Sequence, residues 1–527
     1  MASEIVNFYR DRSVFVTGGT GFFGKILIEK LLRSCPGLKN VYVLIRSKAG
    51  QDPKNRLQDL LSVAAFDNIR QNHPEFFSKV IPVSGDISRD ELGISPQDLQ
   101  MMSDTVSVAF HCAATVRFDE PLKRAVELNV KGVKRMLAVC KNLANLEVLI
   151  HVSTAYVNAI RSELDETIYE PLCDVDDLIS MLDWQDDQAA NSITKRLIVP
   201  LLLPSIHLLN GNPNTYTFSK SLGETVLNNE AGDVDFKIVI IRPSIVSASW
   251  KEPLPGWVDS LGGTTGCIAG FATGIFQTMY CHTKMAVDMI PGEFPVNLMV
   301  TSAWDALKHK RQHTIPTVFL ASTGLNPVTW DMLRNAMYPL MYEYPLSKAV
   351  WLPRVSFKDN IFHHRVDQFF RQIGPAYLLD GAFHICGKKP FMVRLHRKAM
   401  KLVDCVQFYT THEWRTRSDN TCALIQRMNT IDRAIFNFDS RTIVWDEYFL
   451  TYYLGMRKFA LKDGLHTLLA AKNRMKRLLL AQFTCRVALT VLIARTLLRK
   501  SETARTVLEM CESMVARCFV SLTSRFF

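Results

Sequence analysis

Short β-branched apolar runs recur along the first half of the chain. Residues 13–17 (Ser-Val-Phe-Val-Thr), 41–45, 80–83, 107–110, 148–151 and 237–241 read as buried strands. Stretches long enough for helices separate them. Residues 25–33 have helical composition, and Cys35-Pro36-Gly37 ends that segment. Strands alternating with helices predict an α/β fold, a doubly wound parallel sheet with helices on both faces.

Two stretches break the rhythm. Residues 159–212 are acidic from Glu163 to Asp187 and end in an apolar run at 198–209, which reads as an insertion near the active site. From about residue 365 the pattern changes to longer amphipathic segments rich in Leu, Met and aromatics. The expected organisation is a nucleotide-binding domain over 1–364, a smaller, mostly helical domain over 365–463, and a tail over 464–527. At 527 residues the chain is too long for one compact domain.

The tail changes the picture of charge. Its residues 465–527 hold eleven Lys/Arg against three Glu, or +8 of the net +11, leaving the rest near +3. A basic surplus confined to a tail points to anionic lipid rather than nucleic acid, and no nucleic-acid-binding signature accompanies it. Residues 478–494 form an apolar run with Arg486 at its centre, and 514–527 a second, shorter one. Arg477 and Arg495 each lie nine residues from Arg486, two and a half helical turns away, so the three cannot share one polar stripe. The segment 478–498 is therefore expected to insert into a membrane, not lie flat on it. Twelve scattered cysteines form no Cys-x-x-Cys pair and no zinc-ligand cluster, and the N-terminus lacks a signal-peptide run. Reduced thiols on the cytosolic side and no metal site are expected.

The chemistry gathers at the strand ends. Thr17-Gly18-Gly19-Thr20-Gly21-Phe22-Phe23-Gly24 follows one strand and opens a helix. Gly18 permits the tight turn, Gly21 lets backbone approach a pyrophosphate, and Gly24 allows close packing of helix on strand, while the helix N-terminus offers N–H groups to phosphates. After the second strand, where an NAD site usually has a carboxylate, stand Arg46-Ser47-Lys48, with Arg56 ten residues on. Cations there suit a 2′-phosphate and favour NADPH; the alternative is solvated loop charge. Asp86 is placed either to contact adenine or to cap the following helix. His111-Cys112-Ala113-Ala114 presents small residues that let backbone pass close to a cofactor, and Pro243 after the strand at 237–241 fixes a turn beside the nicotinamide.

Tyr216 and Lys220 lie four apart, on one face of a helix. A lysine ammonium lowers a nearby phenol's pKa, so the tyrosine can donate a proton to a carbonyl oxygen as hydride arrives. Thr154, with Ser153 in reserve, ends a strand where a hydroxyl would bond that oxygen; a bond to local backbone is the plain alternative.

These stretches resemble the animal fatty acyl-CoA reductases along nearly the whole chain. The likeness rests on Leu31-Leu32-Arg33-Ser34-Cys35-Pro36, His111 to Phe118, His151 to Tyr156, the Ser-Trp-Lys-Glu-Pro run 249–253, and Trp445-Asp446-Glu447-Tyr448. The resemblance implies an extended short-chain dehydrogenase of Rossmann type with a helical "male sterility" domain. It implies NADPH held by Gly18, Thr20, Phe22, Gly21 and Gly24, and Tyr216, Lys220 and Thr154 as the catalytic set. It also implies long-chain acyl-CoA reduced to fatty alcohol for wax ester or ether lipid synthesis, on a peroxisomal or endoplasmic reticulum membrane with the catalytic domain in the cytosol. A homo-oligomer is compatible with it. Ser247 stands where the family usually has glycine, and Asp288-Met289-Ile290-Pro291 runs into Gly292-Glu293 instead of an apolar run. The rivals are a steroid- or sugar-acting member of the superfamily and a non-catalytic membrane scaffold.

Overall fold

The computed structural model describes residues 2–47, 50–184, 212–309 and 314–499. Lys48, the apolar run at 198–209 and the second tail run at 514–527, all singled out above, lie outside them. Seven parallel strands form the central sheet. They are β1 (Ser13–Thr17), β2 (Asn40–Ile45), β3 (Val80–Ser84), β4 (Val106–His111), β5 (Val148–Val152), β6 (Lys237–Pro243) and β7 (Thr317–Ala321). Their order across the sheet is β3-β2-β1-β4-β5-β6-β7. Every residue of β1, β4 and β5 is buried, which is why these strands read as unbroken apolar runs rather than alternating ones.

Side chains of one strand serve two cores. Val14 and Val16 of β1 face a core shared with α1 (Phe22–Ser34). Phe15 faces another, shared with α2 (Thr215–Glu230). The helix α3 (Glu293–Lys308) packs beside α1 and under β6. The doubly wound parallel sheet expected from the sequence is thus present. Its order reverses between β1 and β4, which opens a crevice beyond their carboxyl ends, the place where this architecture takes ligands.

The C-terminal part is helical, as expected, and its side chains enter the same core. It follows α4 (Trp330–Glu343) and contains α5 (Ile361–Gln368), α6 (Gly374–Ile385), α7 (Met392–Thr411) and α8 (Trp445–Gly455). Tyr448, Tyr452 and Tyr453 of α8 are buried, and each phenol finds a partner, as buried tyrosines must. Tyr448 bonds the Ala248 carbonyl at 2.8 Å, Tyr452 the Thr265 hydroxyl at 2.6 Å and Tyr453 the Tyr344 carbonyl at 3.1 Å. Ser247, the departure noted above, fits here: its hydroxyl lies 2.5 Å from the Tyr448 phenol and 2.9 Å from the Ile290 carbonyl oxygen.

The other departure also has a structural use. Met289–Pro291 forms a short parallel pair with Ile245–Ser247, and Gly292 then starts α3. Buried Glu293 accepts from the backbone amides of Trp250, at 2.9 Å, and Lys251, at 2.8 Å. Burial still outweighs those bonds and pushes its pKa up to about 7. Glu252 takes ion pairs from Lys30 at 2.5 Å and Arg33 at 2.9 Å. The Ser-Trp-Lys-Glu-Pro run is thereby tied to the last turns of α1 and the first turn of α3.

The last element is α9 (Leu468–Arg499). Its first turns lean on the body through buried Ala471 and Met475, and Arg474 donates to the Ala349 carbonyl at 2.6 Å. The stretch Leu465–Thr496, which includes these turns, is long and apolar enough to cross a membrane, and none of its most apolar window is buried.

Candidate active site

The turn after β1 meets its first constraint at Gly18, whose φ of +73° favours glycine. A Cβ there would also lie 2.6 Å from the Ala113 amide nitrogen, so the turn is pressed against the end of β4. A Cβ on Gly24 would lie 2.4 Å from the Gly18 carbonyl oxygen. The close packing at Gly24 is therefore between helix and turn, not helix and strand as the sequence reading had it. Gly21 is the N-cap of α1 and supplies no side-chain cap, so the amides of the first turn are left for another acceptor. Gly18, Gly21, Phe22 and Gly24 all line the main cavity. Phe22 is held there by stacking on Trp257, with ring centroids 5.2 Å apart. This cradle fits the pyrophosphate of a dinucleotide.

Of the other residues expected at the cofactor, Pro243 lines the cavity, and Thr20, Arg46, Arg56, Asp86 and Ala113 do not. Ala113 is fixed by a 3.3 Å bond from its amide to the Thr17 hydroxyl, and Thr20 is half-buried in the turn. Arg46 is exposed just past β2, and its carbonyl accepts the Arg56 guanidinium, which commits Arg56 to holding the loop. Asp86 caps a turn: one carboxylate oxygen accepts the Ser88 amide at 3.0 Å and the Ser88 hydroxyl at 2.9 Å. Burial pushes its pKa up, but those two bonds and the nearby charges of Arg46 and Arg124 outweigh it and hold the carboxyl below its usual range. Pro243 ends β6 and lines the cavity.

The polar centre sits where β5 and α2 meet. Asn214 caps α2 by accepting the Thr217 amide at 2.9 Å, which fixes the first turn carrying Tyr216. The Thr154 hydroxyl accepts the Tyr156 amide at 3.4 Å, the local backbone bond weighed above, and lies near enough to the Tyr216 phenol to pull its pKa down. Ser153 also lines the cavity, and its buried hydroxyl has no hydrogen-bond partner among the described residues. Lys220 is buried one turn along α2 and donates to the Val152 carbonyl at 2.6 Å.

The electrostatics differ from the simple expectation. Burial pushes the Tyr216 pKa up to about 12, with Thr154 pulling against it. Burial likewise pulls Lys220 down to about 8, opposed by Cys112 and Glu224. The lysine does not lower the phenol here, because the Val152 carbonyl holds its ammonium. The rings of His111 and His151 lie with centroids 5.2 Å apart and planes tilted by 30°, and burial drives His111 down to about 3, so that ring is neutral.

Beyond Tyr216 the cavity, about 480 Å³, widens into an apolar gallery lined by Ile268, Phe271, Met279, Leu333, Met337 and Phe357. A single opening thus runs from the glycine cradle past two hydroxyls to a wall of aliphatic and aromatic side chains. Residues 16–299 and 371–463 each match a family described as male sterility protein. The chain is 36% identical to fatty acyl-CoA reductase 1 of Xenopus laevis, over 99% of this chain and 100% of that protein. It is 34% identical to fatty acyl-CoA reductase 1 of Homo sapiens, again over 99% and 100%. The chain belongs to the fatty acyl-CoA reductase family. It is accordingly an oxidoreductase with a nicotinamide cofactor. Its fold is also that of the reductase domain of a nonribosomal peptide synthetase from Mycobacterium tuberculosis, at TM-score 0.55 and 16% identity, covering 87% of this chain and 96% of that one.

Several residues at this reductase's site were invisible in the sequence. Tyr409 of α7 reaches the centre, where Asn214 donates to its phenol at 3.1 Å. Phe118 stacks on Tyr216 at 5.7 Å and meets Tyr409 at 5.4 Å, so aromatic rings wall the Tyr216 side chain. Asn129 binds the Thr115 carbonyl at 3.1 Å and the Ser219 hydroxyl at 3.0 Å, fastening α2 to the loop after β4. No local motif announces any of these.

Proposed function

We propose that this reductase uses NADPH to convert a long-chain fatty acyl-CoA to a fatty alcohol and free CoA. The observation that carries the proposal is the cavity that joins the glycine cradle to the apolar gallery through Tyr216 and Thr154. When bound, NADPH supplies one hydride in each of two reductions. Gly18, Gly21, Gly24 and the first turn of α1 would hold its pyrophosphate, Arg46 its 2′-phosphate, and Lys220 its nicotinamide ribose.

The chain's own residues manage the proton. Burial keeps Tyr216 protonated at neutral pH, so it is an acid. As the thioester carbonyl carbon gains a hydride, Tyr216 passes its proton to the oxygen while Thr154 donates a hydrogen bond. The product is a hemithioacetal. Tyr216 then takes that O–H proton back as the C–S bond breaks, so that CoA leaves as its thiolate, which picks up a proton from water outside the site, and an aldehyde remains in the gallery. A second hydride and a second proton from Tyr216 give the alcohol. The apolar wall excludes water from these steps and receives the alkyl chain.

The tail completes the reading. The helix α9 would anchor the protein in a peroxisomal or endoplasmic reticulum membrane, with the catalytic body in the cytosol, where its alcohol would feed wax ester or ether lipid synthesis. Assaying the membrane-bound protein with NADPH against long-chain acyl-CoA, sterol and sugar-nucleotide substrates tests the reading. Turnover of acyl-CoA alone is expected. Turnover of a sterol or sugar nucleotide in its place would overturn it.

A further inference from the structure

The body of the protein carries an unusual surface away from the tail. Between β-pair strand Ser356–Lys358 and α7, the helices α5 and α6 present large apolar side chains outward. Leu378 is 77% exposed and Ile385 88%, and Phe362, Phe370, Tyr377 and Phe391 are exposed beside them. Single exposed apolar side chains are ordinary, but a cluster on one helical hairpin marks an interaction surface.

Its charge names the partner. Residues 361–398 hold seven Lys/Arg against two Asp, or +5. The tail 465–527 holds +8 of the net +11, so everything outside these two segments sums to −2. The acids within the hairpin are already engaged: Asp380 accepts the amides of Phe391, Met392 and Val393 at 2.8–2.9 Å, and Asp367 pairs with Arg371. Lys388 and Lys389 stand exposed at the tip. A hairpin with apolar flanks and a cationic tip matches the headgroup region of an anionic bilayer, which attracts cations and accepts apolar side chains just below them.

We propose that residues 361–398 are a second membrane contact, one that lies in the surface of the bilayer and is separate from the spanning tail. The hairpin is well connected to the cavity. The strand leading into α5 carries Phe357, His364 of α5 lies 3.3 Å from the Thr278 hydroxyl, and α7 brings Val406 and Tyr409 to the cavity wall. Docking would therefore seat the gallery at the lipid surface, where a long-chain substrate partitions. That consequence rests on the substrate proposed above; the docking itself does not.

Photo-cross-linking of the full chain tests the proposal. The protein is inserted into vesicles of phosphatidylcholine and phosphatidylserine that carry a trace of phosphatidylcholine with a diazirine near the carbonyl end of its acyl chain. Adducts are mapped by mass spectrometry. Adducts are expected on peptides from 362–391 as well as from the tail. Omitting phosphatidylserine should lower the hairpin adducts several-fold, because each cation near an anionic leaflet is worth about fivefold in binding. Leu378→Asp with Ile385→Asp should abolish the hairpin adducts while tail adducts and nucleotide binding persist. Adducts confined to the tail would overturn the proposal and leave the anchor intact. Cross-linking of the hairpin to a second copy or to a soluble protein, without lipid adducts, would also overturn it.

Discussion

Arg242 of β6 and Glu224 of α2 form a buried two-point pair, with Nε 3.0 Å from one carboxylate oxygen and Nη2 2.5 Å from the other. Glu224 lies one helical turn beyond Lys220, and Arg242 precedes Pro243. The pair therefore sets the register of the helix that carries Tyr216 against the strand that carries the cavity wall. Arg242 also donates to the Asp165 carbonyl at 2.7 Å and stacks on Tyr169, so it has no route to solvent. Removing Glu224 would strand that cation. Breaking a buried pair from one side costs about 3–5 kcal/mol. Glu224→Ala should lower Tm sharply, and Glu224→Ala with Arg242→Met should recover part of the loss. Thermal unfolding of the two variants is the check.

Tyr216→Phe removes the phenol that the proposal makes the acid and keeps the ring stacked on Phe118. Loss of a positioned proton donor costs about 10²–10⁴ in rate. Turnover should fall by that order while nucleotide binding, followed by fluorescence, is retained. Near-normal turnover would remove Tyr216 from the mechanism.

Lys220 sets a pH dependence. Burial lowers its pKa from 10.5 to about 8, so in the free enzyme it loses its proton as pH rises past about 8. The kcat/KM for the cofactor reports groups of the free enzyme and should fall above that point. The linkage sign follows from the lowered pKa. The folded state binds fewer protons than the unfolded chain between about 8 and 10.5, so the lysine's contribution to stability is present above 10.5 and lost as pH falls through about 8. The stability of the wild type relative to Lys220→Met should rise across that window.

Arg46 tests the choice of cofactor. A charge-assisted bond to a 2′-phosphate is worth about 1.5–3 kcal/mol, so Arg46→Ala should weaken NADPH roughly tenfold or more while leaving NADH nearly unchanged. Equal loss for both would make Arg46 a surface charge. Isothermal titration with the two nucleotides separates the outcomes.

What the sequence made legible follows from how local each requirement is. Gly18 answers to its own φ and one neighbouring strand, and the β-branched runs answer to burial on both faces, so both could be read residue by residue. The start of α1 was placed too late, because a glycine-rich turn and the first turn of a helix look alike until Gly21 is seen as a cap. β7 was missed: Thr317–Ala321 lies beyond the span in which the strand rhythm is regular. Tyr409, Phe118 and Asn129 reach the centre only because α7 and the loop after β4 fold over it, and Glu224 meets Arg242 across 18 residues of chain. Partners made by tertiary packing leave no spacing to read.

In the proposed reaction one site reduces an acyl thioester twice. The most direct measurement is the stoichiometry of the membrane-bound reductase with a long-chain acyl-CoA: NADPH consumed, free thiol released and lipid product identified by mass. Two NADPH oxidised per CoA released, with fatty alcohol as the product, is the expected result. One NADPH per CoA with aldehyde accumulating, or NADPH oxidation without thiol release, would contradict it.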